Sequence, residues 1–206
     1  MRYNCIRRTY VCEVIAVLYS IGHSNYKLGR FLELLHAHRI QVVADVRSLP
    51  YSSYVKHFNR ELFQHYLEQQ GIHYHWLGGL LGGDNFVGKW DLDSVIAGER
   101  VQNGLDRLEE LGRGGRRVAL VCAERDPVCC HRFFVLSYAL GKRDIGVRHI
   151  LSDGRSVSSS RLEQDLASRL TPAYHQLSLF EAPDRRLAGA QLYRSYFSSP
   201  SSSRAG

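Results

Sequence analysis

Short apolar runs alternate along the chain with segments in which apolar residues recur every three or four positions. Runs of about four to eight apolar residues between glycines or polar clusters are typical of buried strands. Leu28, Phe31 and Leu35 instead have the spacing of one helix face. We predict strands at residues 17–21, 40–46, 72–77, 116–122 and 146–151, helices at 24–38, 59–70, 130–140 and 158–170, a glycine-rich loop at 78–90, and a helix in the second half of 92–112.

Strands that alternate with helices predict an α/β fold, a single three-layer domain with a mostly parallel sheet. We place this domain at residues 17–170. Residues 1–16 show no period and are interpreted as an N-terminal extension. From residue 171 to residue 206 the pattern gives way to polar, serine-rich sequence, which is typical of a flexible tail.

The net charge of the chain bears on the kind of partner that it binds. The 206-residue chain has a formal net charge of +7, which favours DNA, RNA or nucleotides, although the same charge can serve solubility alone. No apolar run approaches the roughly 18 residues of a membrane helix, so we expect no membrane partner. No signal-peptide cleavage site is recognisable, and the five cysteines are clustered. Both features favour a reducing, cytoplasmic location.

Polar residues follow three of the predicted strands. In open parallel sheets, ligands bind outside the carboxyl ends of the strands, so these residues mark a candidate site at that edge. The third predicted strand leads into Gly78 and Gly79, which allow a close approach of backbone to a ligand or phosphate. The polar residues at the strand ends are His23 and Ser24, then Asp45, Arg47 and Ser48, and finally Cys122 and Glu124.

The stretch VCAERDPVCCHR, residues 121–132, joins the fourth strand to a helix that begins near Cys130. A helix N-terminus beside an arginine suits an anion such as phosphate. We predict that Arg47 and Arg132 bind phosphate. The remaining predicted ligand-binding residues are Ser24, Ser48, Gly78, Gly79 and Cys130.

Glu124 and Asp45 are the predicted carboxylate pair, acting as general acid and base or as nucleophile and acid. His23 or His131 would move a proton. An alternative is that the two carboxylates hold a divalent metal against phosphate; apart from that, we predict no cofactor. The structural alternative is that these carboxylates only form ion pairs or cap helices.

Aromatic residues mix with cations after the second strand. Tyr51, Tyr54, Lys56 and His57 follow Pro50 in the sequence YSSYVKHF. This mixture suits stacking on bases or nucleosides. A packed loop is the alternative.

Thiols offer another interpretation of the same stretch. Cys122, Cys130, His131 and His23 together would supply four zinc ligands. The C-x7-C-H spacing matches no standard zinc finger or knuckle, and we therefore assign no metal site from the sequence. A thiol and imidazole metal-binding protein stays open as an alternative.

The predicted tail contains the pentapeptide QLSLF, residues 176–180. It matches at all five positions the bacterial sliding-clamp-binding motif that it resembles. Exposed apolar residues in a polar segment usually dock on a partner. We predict that Gln176, Leu177, Leu179 and Phe180 bind the clamp; the alternative is that they fold back onto the domain's own core.

Several separated motifs resemble the bacterial and archaeal domain of unknown function family 488. They are SIGHS, DVRSLPYS, LGGLLGG, CAERDPVCCHR and VRHILSDG, from about Leu18 to about Gly154. The resemblance implies an α/β domain but no settled chemistry. Its polar motif positions are Gly22, His23, Ser24, Asp45, Arg47, Ser48, Pro50, Gly78, Gly79, Cys122, Glu124, Cys130, His131 and Arg132.

The residues and the resemblance lead to one functional hypothesis. We expect an enzyme that acts on DNA or nucleotides through hydrolytic or N-glycosidic-bond chemistry, in DNA repair or modified-base processing, and that is tethered to the replication clamp. A non-catalytic nucleic-acid-binding adaptor is the main alternative.

Overall fold

The computed structural model describes residues 17–86 and 91–170 and confirms the predicted α/β fold. One six-stranded sheet has the order β3-β2-β4-β1-β5-β6. Only the pairing of β5 with β6 is antiparallel. The strands are β1 (Val17–Gly22), β2 (Val42–Asp45), β3 (His73–Trp76), β4 (Val118–Cys122), β5 (Gly146–Ile150) and β6 (Ser156–Ser158).

Helices connect the strands. They are α1 (Leu28–Ala37), α2 (Arg60–Gln69), α3 (Gly78–Leu81), α4 (Leu92–Ala97), α5 (Glu99–Gly112), α6 (Tyr138–Gly141) and α7 (Ser159–Leu170), with a π-helical segment at Arg132–Ser137 before α6. The predicted extension (1–16) and tail (171–206) lie outside the described residues. Within those residues, no helix is long and apolar enough to cross a membrane.

The structure differs from the predicted elements in three places. The predicted glycine-rich loop contains α3 and a 3₁₀ turn at Gly83–Asn85, because close packing outweighs the low helix propensity of glycine. The segment 92–112 is helical in both halves. The strand β6 was not predicted, since three residues carry too short a pattern.

The alternation of side chains along β4 explains the three layers. Val118, Leu120 and Cys122 belong to a cluster that includes Leu105 and Leu108 of α5. Ala119 and Val121 belong to a second cluster, which contains buried residues of α1 and α2. Successive strand residues point to opposite faces, so each face of the sheet is covered by its own helices.

Candidate functional site

The register of the sheet brings three strand ends to one edge. Gly22 of β1 lies opposite Cys122 of β4, and Asp45 of β2 lies opposite Val121. Two hydrogen bonds continue the pairing beyond β1: His23 N donates to Cys122 O at 2.9 Å and Ser24 N donates to Ala123 O at 2.8 Å. The loops after β1 and β4 are therefore joined at the carboxyl edge.

Asp45 and Arg47 form a buried ion pair at this edge. Arg47 Nε donates to Asp45 Oδ1 at 2.8 Å, and Arg47 Nη2 donates to Oδ2 at 2.5 Å. The Arg47 backbone N–H and the Tyr74 hydroxyl also donate to the carboxylate, at 3.1 and 2.7 Å. Asp45 is 0% exposed. With four donors on its two oxygens, this carboxylate is saturated and positions Arg47.

His23 holds Arg47 from the other side. Its Nδ1 donates to the Ser24 carbonyl at 2.8 Å, since a carbonyl oxygen only accepts, and its Nε2 accepts from Arg47 Nη1 at 3.1 Å. The ring stacks on Phe58 at 4.4 Å. Burial, with the Arg47 charge, lowers the pKa of His23 to about 4. His23 is therefore neutral near pH 7, and both ring nitrogens are engaged.

Cys122, Cys130 and His131 form a second buried cluster. Their ligand atoms all lie within 4.8 Å of one another. The Cys130 and Cys122 sulphurs lie 3.7 and 3.9 Å from His131 Nδ1. A hydrogen bond from the Cys130 thiol lowers the pKa of Cys122 well below its usual value, and burial raises the pKa of Cys130. His23, the fourth predicted thiol-site ligand, is held by Arg47 instead.

Arg132 lies behind the loop that carries Glu124. Its Nη2 donates to the backbone carbonyls of Glu124 and Arg125, at 2.7 and 3.0 Å. Arg132 is 1% exposed, and among the described residues its Nε and Nη1 have no hydrogen-bond partner. Glu124 is exposed, whereas Asp45 is fully buried. The two predicted carboxylates therefore occupy very different environments.

Three glycines are required by close backbone contacts at this edge. A Cβ on Gly22 would lie 1.7 Å from the Glu124 carbonyl oxygen, and one on Gly78 would lie 1.8 Å from the Arg47 carbonyl oxygen. A Cβ on Gly82 would lie 2.5 Å from Ser48 Oγ. That hydroxyl accepts a hydrogen bond from Asp84 N at 3.0 Å. Contacts within the protein thus account for these glycines.

Other predicted site residues are less enclosed. Ser24 adopts a φ of 45° and is half-buried, with its hydroxyl 3.4 Å from Asn25 Oδ1. Gly79 is exposed, and a Cβ there would approach the Trp76 ring no closer than 3.5 Å. Ser24 supports the Arg47 network only through its carbonyl, which accepts from His23, and Gly79 contributes neither to that network nor to the thiol cluster.

The loop after β2 exposes apolar and aromatic side chains. Tyr54 is 95% exposed and Leu49 is 72% exposed, and Tyr51 is also exposed. Phe58, at the end of the same stretch, is buried in the core. His57 Nε2 donates to the Tyr26 carbonyl at 2.8 Å. Tyr51 and Tyr54 are therefore open to a partner, whereas Phe58 packs in the core.

The sequence reasoning missed Tyr74, which donates to Asp45. Burial and the Asp45 carboxylate raise the pKa of Tyr74 far above its usual value, so it stays a donor. The pairing of β2 with β3 places Tyr74 beside Val43. The alternation of residues along the predicted third strand was the available sequence signal for Tyr74. It did not specify which strand would lie next to β2, so it did not predict the contact with Asp45.

A cavity of about 340 Å³ lies between the loop after β4, the residues that follow β5, and α7. Arg125, Asp126, Asp153 and Asp165 contribute its charged walls. None of the predicted catalytic residues lines it. Three carboxylates around one arginine do not favour phosphate, so this cavity is not the predicted anion site.

Comparison with protein families gives one match. The model of the family described as Domain of unknown function DUF488 matches residues 27–139, more than half of the chain. The match is shorter than the sequence resemblance suggested, and it leaves out β1 and His23. It includes Asp45, Arg47 and the stretch from Cys122 to Arg132. No curated protein and no solved structure matches the chain.

Proposed function

The chain belongs to the DUF488 family, and from the site described above we propose that it is an enzyme acting on DNA or nucleotides. The reaction class is hydrolysis, with the N-glycosidic bond of a damaged or modified base as one candidate bond. The substrate phosphate binds next to Arg132, and Glu124 acts on the substrate at the exposed edge.

The observation that carries this proposal is that the buried guanidinium of Arg132 is only partly hydrogen-bonded. A guanidinium that is 1% exposed has its Nε and Nη1 unpartnered within the described ranges. Buried guanidinium N–H groups without hydrogen-bond partners are costly, and an arginine fork matches phosphate oxygens. Both nitrogens are covered, so phosphate binding requires the loop after β4 to move. Phosphate is the anion that DNA and nucleotides share.

Two further features support a nucleic-acid substrate. The formal net charge of +7 favours a polyanion. Tyr51 and Tyr54 are exposed on the loop that begins at Arg47, where each can stack on an unpaired base. For a base inside a duplex, the enzyme would have to flip it out, and an exposed aromatic loop would then receive it.

We assign a role to each of the predicted catalytic residues from its surroundings. Glu124 is the exposed member of the carboxylate pair and is assigned general acid–base catalysis. Asp45 and His23 hold Arg47 and are positioning residues. His131 faces two sulphurs through Nδ1, so proton transfer from this ring would go through Nε2.

We expect Glu124→Gln to lower the rate of product formation by about 100-fold or more, the contribution of a positioned acid or base. The substrates are nucleoside triphosphates and labelled oligonucleotides, single-stranded and duplex, that carry normal, damaged or modified bases. The products are separated chromatographically. DNA affinity and the thermal unfolding midpoint stay unchanged.

The control is Glu33→Gln, because Glu33 is an exposed carboxylate on α1 that pairs with the exposed Arg30. Loss of folding in Glu124→Gln would assign Glu124 a structural role. If no substrate is converted but DNA binding weakens steeply with salt, the adaptor alternative replaces the enzyme.

Clamp tethering is the second part of the proposal. The QLSLF segment, residues 176–180, lies outside the described residues, and its support is the five-position match. We expect the double substitution Leu177→Ala/Phe180→Ala to weaken binding to a purified bacterial sliding clamp by about tenfold or more, as measured by surface plasmon resonance. The control is Leu192→Ala/Phe197→Ala in the same tail. Equal losses in both variants would contradict a specific motif.

A further inference from the structure

We propose that Cys122, Cys130 and His131 bind Zn²⁺, with a fourth position left for water or a substrate atom. The inference goes beyond the proposed function and does not depend on it, because it concerns a ligand of the protein itself. It rests on the positions of three buried side chains and on the chemistry of their donor atoms.

The distances match what a tetrahedral zinc ion requires. With Zn–S bonds of about 2.3 Å and Zn–N bonds of about 2.0–2.1 Å, tetrahedral geometry separates a sulphur ligand from a nitrogen ligand by about 3.6 Å. His131 Nδ1 lies 3.7 Å from Cys130 Sγ and 3.9 Å from Cys122 Sγ. A shift of a few tenths of an ångström in side-chain position, on the order of ordinary rotamer adjustment, brings both sulphur–nitrogen distances to this value.

The local backbone explains how adjacent residues reach the same point. Cys130 is extended, with φ −139° and ψ 146°, and His131 is already helical, with φ −58° and ψ −26°. Adjacent side chains diverge within a helix, but this pair spans the change from extended to helical backbone. The 3₁₀ turn Pro127–Cys129, capped by the Asp126 side chain, returns the chain to Cys122. The C-x7-C-H spacing is therefore compatible with a metal site.

The donor set selects the class of metal. Two thiolates and an imidazole are soft ligands that favour Zn²⁺ or Cu⁺ over Mg²⁺ and Ca²⁺. The three residues are buried, so water competes weakly for the ligands. Two thiolates also balance the two charges of Zn²⁺. Three protein ligands with one open position are the arrangement of catalytic rather than structural zinc sites.

The experiment uses the full-length chain, purified under reducing conditions and supplied with Zn²⁺. Because Cys5 and Cys12 lie elsewhere in the sequence, all forms carry Cys5→Ser/Cys12→Ser. We expect one Zn²⁺ per chain by elemental analysis after removal of excess metal. With Co²⁺ in its place, the protein should show thiolate-to-metal absorption and the intense visible bands of tetrahedral cobalt.

The matched control is the neighbouring thiol. Cys129 is exposed and lies outside the cluster. We expect Cys122→Ser and Cys130→Ser each to weaken Zn²⁺ binding by about 100-fold or more, measured against a competing chelator, because few ligands share the binding free energy. Cys129→Ser should bind as the parent does. His131→Gln keeps both thiols and should lose affinity while remaining folded by circular dichroism.

The proposal is overturned if the reduced chain binds no stoichiometric Zn²⁺. It is also overturned if Cys129→Ser loses as much affinity as Cys130→Ser, or if folded His131→Gln binds as tightly as the parent. A Cys122–Cys130 disulfide in a chain that binds no Zn²⁺ when reduced would mark a redox pair instead. These titrations contain no substrate and Glu124 is not a ligand, so failure here and failure of the enzymatic proposal are separate results.

Discussion

Replacing Arg47 with methionine is expected to lower the free energy of unfolding by about 3–5 kcal/mol, the cost of breaking a buried ion pair by removing one partner. Among the described residues, the substitution leaves the fully buried Asp45 carboxylate with the Tyr74 hydroxyl and the residue-47 backbone N–H as its donors. It also removes the donor to His23 Nε2. Urea unfolding followed by circular dichroism measures the loss.

The chain contains its own matched control for this prediction. Asp153 and Arg155 repeat the Asp-x-Arg geometry on the surface: Arg155 N donates to Asp153 Oδ1 at 2.9 Å and Arg155 Nε donates to Oδ2 at 2.7 Å. Arg155→Met should change stability by no more than about 1 kcal/mol, the usual value of an exposed pair. The double variant Asp45→Asn/Arg47→Met should regain part of the loss. Equal effects at Arg47 and Arg155 would contradict the role of burial.

The second large effect is expected at Gly78, the first residue of α3. Alanine in a helix is usually better than glycine by about 0.5–1 kcal/mol. At Gly78, however, the new Cβ would lie 1.8 Å from the Arg47 carbonyl oxygen and 2.5 Å from Trp76 Nε1. The loop carrying Arg47 must then move away from α3. We expect Gly78→Ala to destabilise the protein by about 3 kcal/mol, at the upper end of overpacking effects.

Gly79→Ala is the control for Gly78→Ala. The two glycines are adjacent in α3, but the nearest atom to a Cβ on Gly79 is in the Trp76 ring at 3.5 Å. Gly79→Ala should therefore be neutral or stabilising by about 0.5–1 kcal/mol. Thermal unfolding of both variants separates the effect of the contact from that of helix propensity. A similar stability change in both would show that the Arg47 carbonyl contact is unimportant.

The periodicity of apolar residues predicts most of the fold. Parallel strands such as β4 are buried on both faces, so they appear as continuous apolar runs. The α3 segment, GGLLGG, was not predictable, because its helix depends on tertiary contact. Gly104 of α5 is part of the reason: a Cβ there would lie 2.6 Å from Leu81 side-chain atoms. Only glycine allows α5 to lie this close to α3.

The strand-end positions predicted that His23, Asp45 and Arg47 would lie close together, and in the structure the three side chains are in contact. They did not give the exposure or the hydrogen bonds of each group, because these depend on the packing around the site and on neighbours from β3 such as Tyr74. For the thiol cluster, the sequence pattern failed to predict that its residues come together. Residue spacing argued against it, whereas one extended residue, Cys130, is enough to assemble it.

The hydrogen bonds that join the loops after β1 and β4 have a consequence for access to Arg132. His23 N and Ser24 N are bonded to Cys122 O and Ala123 O, and the Glu124 carbonyl is bonded to Arg132 Nη2. Each such bond contributes about 1 kcal/mol. Neither loop can swing outward alone without breaking them. If Arg132 binds the substrate phosphate as proposed, entry of the anion therefore requires both segments to move together or these hydrogen bonds to break.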